Sequence, residues 1–190
     1  MLRSDAIFAD GSSVNGGTVD LNGNNVTVTG SFTQNGTNVD LNSGTMKVGG
    51  DYLHQGGVLN LNGGTLNIQK NYKMQGPGGT ACSGEIQTAA DCALITGGDF
   101  IINSTISYSY WQKSGRFIIG GDLKVYAPDG GSGFNPSDMA VVLLGGKAHE
   151  VYFEGTVSAT DIICLGLGDS ISFTGALNGV SRTAESKITA

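Results

Sequence analysis

The chain of 190 residues is poor in charged side chains, and the basic ones are the scarcest. Lys and Arg together number 10 against 16 Asp and Glu, which gives a net charge of −6. Binding to nucleic acid or to an anionic membrane requires clustered Lys and Arg. The composition therefore argues against both kinds of partner.

Long hydrophobic runs are also missing. No stretch approaches the roughly 20 apolar residues of a membrane span, so we expect no membrane insertion. Residues 1–8 hold no run of signal-peptide length, so a secreted chain of this sequence would have lost its signal or belong to a longer protein. There is no Cys-x-x-Cys pair, and His54 and His149 are far apart. We therefore predict no metal site and no cofactor.

What the sequence has is glycine, 32 residues of it, and a phrase that recurs every 20 residues. The phrase is apolar-polar-apolar-Asn, at 19–22, 39–42 and 59–62. Each repeat carries three short apolar stretches separated by Gly and Asn, which leaves no room for a helix. We predict an all-β, single-domain parallel β-helix, or β-solenoid, right-handed by the usual bias of parallel crossovers.

The alternation of side chains predicts which residues stack inside the solenoid. One expected column consists of Leu21, Leu41 and Leu61, and another of Phe32, Tyr52 and Tyr72. At the end of the first stretch stand Asn22, Asn42 and Asn62. Asn tolerates left-handed backbone and its amides can bond from coil to coil, so we predict a structural asparagine ladder there.

The predicted organisation is one solenoid domain of roughly eight coils, at about one strand per seven residues. A first strand with a cap occupies residues 1–15, and three regular coils of 20 residues occupy 16–75. An insertion loop follows at 76–96, looser coils at 97–182, and a polar tail at 183–190.

The cysteines divide into a pair and a single residue. Cys82 and Cys92 bracket the Gly-rich insertion, and a disulfide there would contribute about 2–3 kcal/mol and indicate an oxidising, extracellular setting. The alternative is two free thiols in a cytosolic protein. Cys164, within an apolar stretch, is predicted to be a small buried residue.

Parallel β-helices include polysaccharide lyases and hydrolases, which need clustered carboxylates. Asp20 and Asp40 should stack on the outer wall, and we interpret them as a solvated face rather than a cation site. Asp51, Asp99 and Asp122 follow glycine and are predicted to accept hydrogen bonds from turn amides. The segment 130–135 resembles half of a calcium-binding repeat, but it has no second copy. We predict no catalytic residue.

The best candidate for a binding surface is the aromatic segment 106–112. Tyr108 and Tyr110 share one face and Trp111 takes the other, so at least one set points outward. Exposed aromatic rings can stack on sugars or contact a protein partner. The alternative is that these rings fill the core.

Four phrases carry a resemblance to a known group of proteins. They are Gly57–Asn67, Gly98–Phe100, Gly121–Val125 and Val142–Phe153. Together they resemble the β-helix repeat regions of large secreted bacterial surface proteins and, more loosely, the shafts of filamentous-haemagglutinin-like adhesins. The likeness covers nearly the whole chain. It implies secretion and a structural or adhesive role, and it supplies no catalytic motif.

The functional hypothesis is a non-catalytic, extracellular structural or adhesive solenoid on a bacterial cell surface, acting as spacer, adhesin module or fibre subunit. Its expected partners are further copies joined end to end, neighbouring modules of a larger surface protein, or a glycan or host-surface receptor. The alternative is a lyase-like or hydrolase-like polysaccharide-active enzyme, or a glycan-binding β-helix.

Overall fold

The computed structural model describes residues 1–89, 91–106, 114–126, 140–154, 161–164 (backbone only) and 168–175. Within these ranges the chain forms β-strands and one short 3₁₀ helix, Pro77–Gly79, and no helix long and apolar enough to span a bilayer. The strands are β1 (Ala6–Phe8), β2 (Ser12–Asn15), β3 (Thr18–Asp20), β4 (Asn25–Val28), β5 (Phe32–Asn35), β6 (Asn38–Asp40), β7 (Thr45–Val48), β8 (Tyr52–His54), β9 (Gly56–Asn60), β10 (Thr65–Ile68), β11 (Tyr72–Met74), β12 (Ser83–Gln87), β13 (Ala93–Thr96), β14 (Phe100–Asn103), β15 (Arg116–Ile119), β16 (Leu123–Tyr126), β17 (Ala140–Leu143), β18 (Ala148–Phe153), β19 (Asp161–Cys164) and β20 (Ser170–Gly175).

The strands form three parallel sheets, which are the faces of a β-solenoid. The first sheet has eight strands in the order β1-β4-β7-β10-β13-β15-β17-β19, and the second has eight in the order β2-β5-β8-β11-β14-β16-β18-β20. The third sheet has four, in the order β12-β9-β6-β3. Each strand therefore pairs with its equivalent one coil away, which confirms the predicted parallel β-helix.

The length of the coil changes along the chain. In the first sheet Val26 is in register with Met46 and Met46 with Leu66, which are steps of 20 residues. Leu66 then pairs with Leu94, a step of 28, and Leu94 with Phe117, a step of 23. The coils are therefore regular up to Leu66 and longer beyond it.

The core consists of the inward columns that the alternation predicted. Leu21, Leu41 and Leu61 are at most 1% exposed. Tyr52 lies in register between Phe32 and Tyr72, with ring centroids 5.3 and 5.6 Å away. The stack continues into the longer coils, because the rings of Tyr72 and Phe100 are 4.9 Å apart.

Residues 76–96 are not an insertion loop, so that part of the predicted organisation is wrong. They contain the 3₁₀ helix, β12 and β13, and β12 pairs with β9 from Ser83↔Gly56 to Gln87↔Asn60. β12 has a single large inward apolar residue, Ile86, which is fully buried. Seven of the eight extra residues of this coil lie between β11 and β12, where the 3₁₀ helix stands, because the register step is 20 at Tyr72, 27 at Ser83 and 28 at Ala93.

The predicted disulfide is also wrong, since both Cys82 and Cys92 are free and buried. They lie before and after β12, a five-residue strand that spans about 16 Å when extended, whereas a disulfide needs Cα atoms about 4.4–6.8 Å apart. The Cys82 thiol faces the carbonyl of His54 and the Cys92 thiol that of Ser114. Burial raises the pKa of both thiols, which keeps them protonated and unreactive.

Alkylation tests this correction. Unfolding without reductant and labelling with iodoacetamide should modify both Cys82 and Cys92, whereas labelling of the folded protein should be slow because both thiols are buried. Peptide mass spectrometry measures each site, and adding reductant to a parallel sample should leave the pattern unchanged. Label that enters these two sites only after reduction would contradict the free-thiol structure.

Candidate functional site

A ladder of side-chain oxygens runs along the corner before the second sheet, and we call it the corner ladder. In each coil a side-chain oxygen accepts a hydrogen bond from a backbone N–H of the next coil. The six bonds, 2.6 to 3.1 Å long, join Asp10, Ser31, Asp51, Asn71, Asp99, Asp122 and Glu150 in that order. The prediction of hydrogen bonds to turn amides is confirmed for Asp51 and Asp99, whereas Asp122 accepts from the N–H of Glu150 within β18.

Ion pairs across coils reinforce this corner. The Lys73 ammonium lies 2.7 Å from an Asp51 oxygen. Burial alone would raise the pKa of Asp51, but the hydrogen bonds from Lys73 and Asn71 outweigh it and hold that pKa below its usual value. The corner therefore keeps the Asp51 carboxylate ionised and bonded.

Removing the Asp51 carboxylate should destabilise the solenoid. Asp51→Ala leaves the N–H of Asn71 without its acceptor, so we expect the free energy of unfolding to fall by about 1–3 kcal/mol in urea titrations. Asp51→Asn is the matched control, because its amide oxygen can still accept that bond, and it should cost less than about 1 kcal/mol through the lost ion pair. Equal losses in both variants would contradict a role for the ladder bond.

The predicted asparagine residues lie at a second corner, after the third sheet. Asn22, Asn42 and Asn62 have left-handed backbone, with φ of 49°, 44° and 30°. The Asn62 amide donates to Asn42 Oδ1 at 2.7 Å, as a ladder requires. The Asn42 amide, however, donates to Asp20 Oδ1 at 2.8 Å rather than to Asn22. The ladder therefore runs through an aspartate at its first step.

Asp20 and Asp40 stand next to each other in register on β3 and β6. Asp20 Oδ1 accepts from the Asn22 N–H and from the Asn42 amide. Burial and the charge of Asp20 raise the pKa of Asp40, although a hydrogen bond from Asn60 opposes the shift. These oxygens bond within the corner, which supports the interpretation of a structural, solvated face.

Inside the cylinder, two polar pairs lie among the apolar columns. Tyr52 donates to Gln34 Oε1 at 2.8 Å, and Gln34 Nε2 donates to the carbonyl of Thr37 at 2.6 Å. One coil later, His54 repeats the arrangement: its Nδ1 lies 2.7 Å from the Tyr72 hydroxyl and its Nε2 lies 2.9 Å from the carbonyl of Gly57. A carbonyl only accepts, so His54 carries its proton on Nε2 and Tyr72 donates to Nδ1.

His149 forms a different buried pair with Asp169. Its Nδ1 donates to the carbonyl of Gly121 at 2.6 Å, and its Nε2 faces Asp169 Oδ1 at 3.3 Å. Two lone pairs would repel there, so a proton must lie between these two atoms. A backbone hydrogen bond from Lys147 is the main reason that the pKa of Asp169 lies below its usual value. This pair joins β18 to the turn before β20.

The outer surface of the second sheet carries a cluster of tyrosines and charges, which we call the tyrosine face. Tyr126 and Tyr152 point outward, and their ring centroids are 5.1 Å apart with planes inclined by 43°. Lys124, in register with Tyr152, lies 3.0 Å from a Glu150 oxygen and 3.5 Å from an Asp122 oxygen. Aromatic rings beside charged groups make this face a candidate binding surface.

The tyrosine face was not found from the sequence, although the signal is there. Tyr126 and Tyr152 both follow an inward valine, Val125 and Val151, and simple alternation places them outward. The aromatic patch that was predicted instead, Tyr108, Tyr110 and Trp111, lies outside the described residues. So does the calcium-like segment 130–135.

Comparisons with protein-family models, curated proteins and solved structures found no match to this chain. The resemblance to bacterial surface solenoids therefore stays a prediction. In the part of the chain that the structure describes, no three His, Cys, Asp or Glu side chains come together in a way that could hold a metal ion.

Proposed function

We propose that this protein is a rigid, non-catalytic solenoid that serves as a spacer or adhesive module on a bacterial cell surface. The observation that carries the proposal is the corner ladder, whose six hydrogen bonds link successive coils without interruption from Asp10 to Glu150. Eight stacked strands correspond to a cylinder about 34 Å long. Bonds of this kind resist bending and stretching along the axis, as a spacer requires.

The extracellular location is part of the same proposal. Its support is the resemblance of phrases such as Gly121–Val125 and Val142–Phe153 to secreted surface proteins. The cysteines no longer contribute to it, because Cys82 and Cys92 are free.

The first coil offers a surface for a second copy or a neighbouring module. β1, β2 and β3 each pair on one side only. The inward residues Phe8 and Val14 of this coil are partly exposed, unlike their equivalents in the following coils. Ile7, on the outer side of β1, is 78% exposed. Unpaired strand edges bind further strands readily, and head-to-tail contacts of this type build filaments when they do not close.

Electron microscopy over a range of protein concentrations tests the proposal. We expect straight rods that lengthen with concentration, and Ile7→Lys should keep the rods short because a charged edge opposes strand pairing. Thr27→Lys is the matched control, since Thr27 lies in the same outward column one coil further in. Rods of constant length would refute the role as a fibre subunit but remain consistent with a rigid spacer. Flexible or globular particles would contradict both roles.

The tyrosine face favours a second candidate function, which is glycan binding. Aromatic rings on the outer wall of a rigid solenoid are suited to stacking against sugars. This candidate is compatible with an adhesive module and needs no catalytic residue.

A further inference from the structure

The two tyrosines of the tyrosine face are held in a fixed arrangement. Each belongs to a strand whose neighbouring residues, Val125 and Val151, are at most 1% exposed, so the backbone beneath the rings is anchored in the core. The ring centroids are 5.1 Å apart and the planes are inclined by 43°. The two rings are therefore in contact and inclined to each other on the outer face of the sheet.

Charged groups stand beside the rings at equally fixed positions. Glu150 Oε2 lies 3.0 Å from the Lys124 ammonium, while Glu150 Oε1 accepts a hydrogen bond from the Thr174 hydroxyl at 2.8 Å. The Glu150 N–H donates to Asp122 Oδ1 at 3.0 Å, as the last step of the corner ladder. The hydrogen bond from Lys124 is the main reason that the pKa of Glu150 lies below its usual value, so both carboxylates are ionised near neutral pH.

We propose that the tyrosine face binds a neutral polysaccharide made of hexopyranose units. The C–H faces of such sugars stack on aromatic rings, and their hydroxyls hydrogen-bond to carboxylate and ammonium groups. Tyr126 and Tyr152 supply the stacking surface, and Lys124 and Glu150 supply the polar contacts. The inference rests on the adhesive form of the proposed function and names its ligand class.

Charge favours a neutral sugar. At the site the two negative charges of Asp122 and Glu150 lie beside the positive charges of Lys124 and, near Asp122, of Lys147, whereas the whole chain has a net charge of −6. The field of the whole protein repels uronates and sulfated sugars. Because the site is rigid before binding, little conformational entropy is lost when the sugar docks.

The same columns of the sheet suggest variants that should fold. Tyr152 is in register with Thr174, and Tyr126 is in register with Asn103. Tyr152→Thr and Tyr126→Asn therefore introduce residues that the neighbouring coil already carries at the same position. Leu53→Ala, an outward substitution on β8 of the same sheet and far along the axis, is the control.

The test is isothermal titration calorimetry on the full chain, with cellohexaose and chitohexaose as neutral probes and oligogalacturonate as the acidic probe. We expect binding to at least one neutral probe and none to oligogalacturonate. Each tyrosine substitution should weaken the neutral interaction at least about tenfold, and Leu53→Ala should leave it unchanged. Melting curves establish that every variant is folded.

Three outcomes would overturn the inference: no binding of either neutral probe, tighter binding of oligogalacturonate, or unchanged affinity in the double variant Tyr126→Asn/Tyr152→Thr. None of them bears on the rods that we expect in electron microscopy. Rods without sugar binding would leave the spacer and refute the ligand class, whereas sugar binding without rods would refute the spacer and keep the site.

Discussion

Gly57→Ala is expected to lower the free energy of unfolding by about 2–5 kcal/mol, a large effect for a single methyl group. Gly57 has a φ of +81°, which costs an L-residue about 1–2 kcal/mol. A Cβ atom there would also overlap the backbone carbonyl of Thr37 in the preceding coil. Two adjacent coils would have to separate at this point, and urea titration of the variant measures the loss.

Gly17→Ala is the matched control for this experiment. Gly17 lies at the equivalent position two coils earlier and has a φ of +79°, but a Cβ atom there meets nothing within 4 Å. It should cost about 1–2 kcal/mol, from the backbone conformation alone. If the two variants lose the same stability, close packing between coils is not what selects glycine at position 57.

The second large effect is a loss of stability in mild acid caused by His54. Burial lowers the pKa of His54 from 6.5 to about 4, so between these values the unfolded chain binds a proton that the folded protein rejects. The free energy of unfolding should therefore fall as the pH decreases from about 6.5 to about 4. One pKa unit corresponds to about 1.4 kcal/mol, which gives a total loss of about 3 kcal/mol. Urea titrations at pH 7, 5.5 and 4 measure it.

The carboxylates of the corner ladder leave the upper part of this window clear. The pKa values of Asp51 and Asp122 lie below the usual range, so their contribution to stability is complete near neutral pH and is lost progressively below about pH 5. A decline between pH 6.5 and 5 is thus not caused by these two carboxylates.

Gln34 shows how to build the control variant. It occupies the position of His54 one coil earlier, accepts from a tyrosine and donates to a backbone carbonyl. His54→Gln should therefore preserve both hydrogen bonds, keep most of the stability at pH 7 and flatten the pH dependence between 4 and 6.5. A variant that retains the full acid loss would show that a group other than His54 causes it.

The regular coils could be predicted from the sequence because their step of 20 is unbroken. With the period known, the pairing of Phe32, Tyr52 and Tyr72 follows without any structure. β12 could not be found in this way, because the step from Leu66 to Leu94 is 28 and Ile86 is its only large inward side chain. A glycine, Gly84, occupies the inward position that lies close to Met74 and His54. With only one apolar inward residue, the sequence of β12 does not show the alternation of apolar and polar residues that indicates a strand.

Sites that join two coils were harder to predict than the columns themselves. The register partner of His54 is Met74, but His54 bonds to Tyr72, two residues before Met74. The contact is therefore diagonal, and its two residues are 18 apart in sequence rather than 20. Tyr126 and Tyr152 belong to coils of unequal length, so no fixed period aligns them. The disulfide was predicted for a loop that is really a strand, and an extended chain holds its two cysteines apart.

The buried polar pairs also determine which coil can follow which. Across four successive coils, the diagonal positions hold Val14 with Phe32, Gln34 with Tyr52, His54 with Tyr72, and Met74 with Phe100. A ring bears a hydroxyl only where the preceding coil supplies a polar partner. If the first coil were to stack directly on the third, Tyr52 would bury its hydroxyl against Val14 at a cost of about 1–3 kcal/mol. Near-identical repeats can pair in the wrong order during folding. The leucine columns would pack equally well if one coil were left out of the stack, but the interior polar groups would then lose their hydrogen bonds, which disfavours that arrangement.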